Sequence, residues 1–133
     1  MLIRYFILLS LSLSAASAKV SFKNDIRPIL SNHCFRCHGP DENERKANLR
    51  LDTFEGATKD NDGIQAIVAG NIDESELIYR ISTEDPEEIM PPKKAGEKLT
   101  PKQIELLKQW VREGGKYEKH WSYQKPIRPA VPK

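Results

Sequence analysis

The chain carries two cysteines, and both fall in the stretch His33-Cys34-Phe35-Arg36-Cys37-His38. Three chemistries use a pair of thiols at this spacing. A redox dithiol sits where a strand enters a helix within alternating strands and helices, and no convincing strand precedes Cys34. A structural zinc site wants four ligands. Cys34 and Cys37 with His33 or His38 leave that set short, and His120 stands far along the chain without a partner ligand beside it. The third chemistry is covalent attachment of haem, whose pattern is Cys-x-x-Cys-His. Two vinyl groups on one porphyrin edge each take a thiol, so the sulfurs must lie one helical turn apart on one face. Positions 34 and 37 provide that spacing, and His38 follows where an imidazole can reach the iron as proximal ligand. Cys34, Cys37 and His38 are therefore the candidate residues for one covalent haem c, with His33 a bystander.

An iron held by histidine on one side takes a second axial ligand on the other. Beyond the initiator the sequence holds a single methionine, Met90, in Ile89-Met90-Pro91-Pro92. Two prolines fix φ and make a stiff, nonhelical arm. A lone methionine also fills gaps in cores, but this setting between two helical segments favours a ligand. A thioether opposite an imidazole raises the iron's potential relative to two nitrogen ligands.

Helices must position these groups. From Asn24 to Gly39, Ile26, Ile29, Leu30, His33, Cys34 and Cys37 fall at i, i+3, i+4, i+7, i+8 and i+11, one helical stripe. Asn24 or Asp25 is placed to cap it, Pro28 sits in its first turn, and Gly39-Pro40 ends it. A second, short helix carries Leu77, Ile78 and Ile81 behind a capping pattern at Asp73 to Glu76. The last helix opens on Thr100-Pro101-Lys102-Gln103, with N-cap, proline and capping-box glutamine in place. Its stripe is Ile104, Leu107, Trp110 and Val111, closed by Gly114-Gly115. Between them, Asp41 to Arg50 reads as a charged loop and Asp60-Asn61-Asp62-Gly63 as a turn. A calcium loop around Gly63 would put Thr58 first and Ala69 twelfth, neither of them a proper ligand. The fold class expected is all-α: three to four helices around one covalently bound haem, with long loops. The nine candidate wall residues Ile26, Ile29, Leu30, Leu77, Ile78, Ile81, Leu107, Trp110 and Val111 are few, so a haem-free chain is expected to lack fixed tertiary packing.

The N-terminus, MLIRYFILLSLSLSAASAK, has one cation at Arg4, an apolar run and a terminal Ala-x-Ala. That is the form of a secretory signal cut before Lys19, and its apolar run is about half the roughly 20 residues a spanning helix takes. The expected division is a signal peptide over 1–18, a monohaem domain over 19–116, and a proline-rich linker or arm over 117–133. The product is exported, periplasmic or beyond, without stable membrane insertion after cleavage. Net charge is +2, so no strong field calls for nucleic acid.

The segments FKNDIRPILSNHCFRCHGPD, LRLDT, IVAGNIDESELIYRI, IMPPK, LTPKQIELLKQWVREG and HWSY occur in an order that resembles the planctomycete-type cytochrome c domain, within the class I c-type cytochromes. The resemblance runs from about Val20 to Tyr123. It implies the cytochrome c fold, in which first and last helices clasp the haem. It also implies attachment at Cys34 and Cys37 and axial ligation by His38 and Met90. Relatives of this kind commonly continue into longer chains, with HWSY near the junction. The function so implied is single-electron transfer with a redox partner protein or a fused domain, for which Lys93, Lys94, Lys98 and Lys102 form a candidate docking cluster. Two other classes compete: a peroxidase-like haem enzyme with a labile distal ligand, and a haem-stapled binding module using Trp121 and Tyr123. The sequence shows no distal histidine and arginine pair to support the enzyme.

Overall fold

The computed structural model describes residues 19–118. The expected signal peptide over 1–18, His120, Trp121 and Tyr123 lie outside the described residues.

The expected first helix is present as a run in three pieces. Phe22–Ile26 forms a π-helical turn, Arg27–His33 forms α1 and Phe35–His38 forms α2. Ser21 caps the run, its Oγ accepting from the Asn24 amide at 3.2 Å, so the cap lies ahead of the expected Asn24 or Asp25. Pro28 explains the wide first turn, because it has no N–H to return to Asn24 and its ring crowds that carbonyl. The backbone departs from helical values at Cys34, with φ at −123°. The Cys34 amide still bonds Leu30 O, and the His38 amide bonds Cys34 O, each at 2.8 Å. The result is a kink, and the run continues through it.

Three further helices follow: α3 at Phe54–Ala57, α4 at Glu76–Ser82 and α5 at Pro101–Arg112. The short α3, which has too few residues for periodicity to reveal it, starts on Thr53, whose side chain accepts from the Gly56 amide at 3.1 Å. On α5 both halves of the expected capping box are formed, and Gly114 and Gly115 close it with φ of 101° and 58°, conformations that favour glycine. Ser75 precedes α4 but does not cap it. Its Oγ is buried, accepts from the Val68 amide at 2.9 Å and donates to Asn71 O at 2.6 Å, which fastens the loop before the helix.

The architecture is mostly helical with one small sheet. Strands β1 (Asp60–Asn61) and β2 (Ile64–Gln65) pair antiparallel around the expected turn. Asp62 and Gly63 take φ of 55° and 86°, the tight hairpin geometry in which both central residues are left-handed. The all-α expectation thus holds for the main elements but not for this hairpin.

The core gathers where the π-helical turn and α4 both pack on α5. Ile26, Leu30, Leu107, Trp110 and Val111 are buried there. Phe22, Trp110 and Tyr117 stack beside them, with ring centroids 4.5 to 5.7 Å apart. Leu51, Ala57, Ala66, Ile67 and Leu99 add buried surface from loops and short elements, none of it counted from helical stripes. Tyr117 and Glu118, placed by sequence in the arm, are tied to the body: Tyr117 Oη donates to Leu51 O at 2.9 Å, and Glu118 Oε1 accepts from the Phe22 amide at 3.1 Å.

Candidate functional site

Cys34, Cys37, His38 and Met90 line one narrow cleft, together with His33, Leu51, Ile81, Pro91, Pro92 and Ala95. The four residues singled out by type and spacing are therefore brought together, three from the kinked helical run and one from the loop between α4 and α5.

The helical run presents its groups because α1 and α2 are anchored on both sides. Ile26, Ile29 and Leu30 are buried in the core, which turns Cys34 and Cys37, farther along the same stripe, into the cleft. The chain after α2 then folds back over it. The Lys46 amide bonds Cys37 O at 2.7 Å and the Leu51 amide bonds His38 O at 2.8 Å. Left-handed backbone at Ala47 and Asn48, with φ of 51° and 49°, makes that return possible. Arg45 braces the turn, its Nε donating to Gly39 O at 3.0 Å and its Nη2 to Pro40 O at 2.8 Å.

No disulfide joins Cys34 and Cys37. Burial pushes the Cys34 thiol up to about 12, with the neighbouring Cys37 adding to the rise. Reactive dithiols work the other way, through a lowered value that yields thiolate, so the redox-dithiol chemistry lacks its electrostatic basis. Burial lowers the His38 value, while the nearby Lys46 backbone works against that shift. The ring is thereby kept neutral, which is the form that binds a metal. Its Nδ1 is buried and makes no formed hydrogen bond.

These features fit a covalent haem: two thiols one turn apart, a neutral imidazole and a thioether, all along one slot with largely apolar walls. Zinc fits less well. Among the described residues no three His, Cys, Asp or Glu side chains converge as a metal site would need, whereas a haem iron asks the protein for two axial atoms. The slot itself encloses about 50 Å³.

His33, taken as a bystander, sits at the rim. It also lines an adjoining open cleft of about 330 Å³ with Asn32, Pro91 and Gly96, and its Nε2 lies 3.5 Å from Gln103 Nε2 on α5. Two contributors escaped the sequence reading. Leu51 forms part of the wall from a loop, with only the brief Leu49-Arg50-Leu51 alternation to signal it. Arg80 on α4 holds the Met90 loop and gave no signal, because a charged residue on a short helix reads as solvated.

Residues 34–94 match the model of the family described as Planctomycete cytochrome C. No curated protein and no solved structure matches the chain. The matched segment begins at the first attachment cysteine and runs past Met90 to Lys94, so it spans all four residues that the cleft brings together. The match over residues 34–94 supports the resemblance to the planctomycete-type cytochrome c domain read from the sequence.

Proposed function

We propose that this is an exported monohaem c-type cytochrome domain that passes single electrons, its iron held between His38 and Met90. The observation that supports the reading is the shared slot: both thiols, the imidazole and the thioether line it. Cys34 and Cys37 are the attachment sulfurs, His38 the proximal ligand and Met90 the distal one. The π-helical turn with α1, and α5, are the first and last helices of a cytochrome c-like fold. Residues 1–18 are the cleaved export signal, and the chain beyond Glu118 leads to a fused domain or partner.

Bound there, the haem supplies a ferric/ferrous couple, and a thioether ligand favours the ferrous form. The chain's own residues do the rest. Desolvation keeps His38 neutral. Leu51, Ile81 and the buried Pro91 keep water from the slot. The Leu51 amide fixes the backbone of His38, and the Arg80 carbonyl fixes that of Met90. With protein atoms on both axial positions, no site is left for substrate, which suits outer-sphere transfer better than peroxidase chemistry.

Lys93, Lys94, Lys98 and Lys102 are all exposed on the segment that follows Met90 and on the start of α5. They form the surface to which an acidic redox partner docks, steered by charge.

The test is spectroscopic. Protein exported from a host able to attach haem gives a covalent-haem pyridine haemochrome and a ferric Met-to-iron charge-transfer band, and Met90→Ala loses the band while keeping the haem. A high-spin ferric spectrum in the unmutated protein would move the assignment to a haem enzyme. Electron transfer to an acidic partner slows as salt rises, and a rate indifferent to ionic strength removes the lysine surface from the proposal.

A further inference from the structure

The prolines at 91 and 92 stiffen the chain around Met90 but do not say where it lies. Its place is set from α4. The Met90 amide donates to Arg80 O at 2.9 Å, and the Arg80 side chain reaches the same loop, Nη1 donating to Glu88 O at 3.3 Å. Arg80 is itself held one turn back, its Nε donating to Glu76 Oε1 at 2.7 Å. Tyr79 adds a hydroxyl donated to the Glu88 carboxylate. One residue thus grips the loop through backbone and side chain at once, while its neighbour Ile81 forms a wall of the cleft that Met90 lines.

We infer that Arg80 is the positioning residue for the Met90 sulfur: a clamp that sets the distal ligand's distance from α4. The inference rests on the reading of Met90 as that ligand. Guanidinium geometry suits the task, because its donors leave a plane in different directions and serve a carboxylate and a carbonyl together. An ammonium keeps the charge but not the fork. The ion pair to Glu76 is about a third exposed on both sides, and such pairs contribute little stability by themselves. The role is therefore one of placement. Glu84 to Glu87 are exposed, so among the described contacts of this loop the apolar anchors are Ile89 and Pro91, buried on either side of Met90.

The test uses the haem-loaded protein and follows two signals through a urea titration, the ferric charge-transfer band and the helical circular dichroism. In the unmutated protein the band fades close to helix unfolding. In Arg80→Ala the band is lost at clearly lower urea, with the ligated-to-unligated ratio down at least tenfold in native buffer and the helix midpoint little changed. Arg80→Lys falls between the two, nearer to alanine. If band and helix signals in Arg80→Ala shift together or not at all, Arg80 is structural only and the inference is overturned. Absence of the band from the unmutated protein removes the ligand reading itself. The clamp is then judged by amide exchange at Met90, expected at least tenfold faster in Arg80→Ala; unchanged exchange overturns it.

Discussion

Gly39 follows His38 directly, and a Cβ built on it would collide with Phe35 O. Its φ of −119° is open to any residue, so the constraint is purely one of approach. The chain has to double back tightly after α2 for the Lys46 and Leu51 amides to reach the Cys37 and His38 carbonyls. Gly39→Ala is expected to push this return away from α2 and lower stability by about 2 kcal/mol or more, a size typical of steric conflict in a packed site. Urea melts of the haem-loaded protein check it. The reduction potential should move as well, since the displaced segment includes Leu51, which lines the cleft. A variant matching the parent in both readings would show that the turn relaxes freely.

Elements differ in how plainly they are written in the sequence. The last helix is legible because its signals are local: cap, proline, glutamine and stripe lie within twelve residues, and α5 begins and ends where they place it. Thr100 is exposed, so Thr100→Ala removes the cap without leaving a cavity. The expected cost is about 1 kcal/mol, read from a urea melt, with Thr100→Ser near neutral. The cysteines and His38 were singled out by a five-residue pattern, and the structure brings them to one cleft with Met90. What stayed hidden depends on distant partners. Phe22 is buried because Trp110 and Tyr117 stack on it, and Ile67 because its amide bonds Ala57 O while its side chain approaches Gly115; neither shows a helical period. Ser75 looked like a cap and instead fastens its own preceding loop. Arg80 looked like surface charge, and its two loop contacts lie eight and ten residues away.

For the whole molecule, the added buried positions change the weight given to the porphyrin. The sequence supplied nine wall positions and suggested a chain organised by its cofactor. The structure places Val20, Phe22, Leu51, Ala57, Ala66, Ile67 and Leu99 among the same buried cluster, so much of the apolar centre lies between α5 and the π-helical turn. Stability then has two tiers. In Cys34→Ser/Cys37→Ser protein without haem, amides of Leu107 to Val111 are expected to remain protected from exchange. Those of Ile89 and Met90 should exchange at rates close to those of an unfolded chain. Loss of protection throughout α5 would instead make the porphyrin the organiser of the entire body.

One pair of contacts has a consequence for anything joined to this domain. Glu113 on the far side of the sequence accepts from the Val20 amide, and Glu118 accepts from the Phe22 amide, each at 3.1 Å. The first and last described residues consequently leave the body side by side. A fusion made through either terminus would share that doorway, and a seam cut ahead of Tyr117 would uncover the ring face of Phe22 as well as shorten the tether.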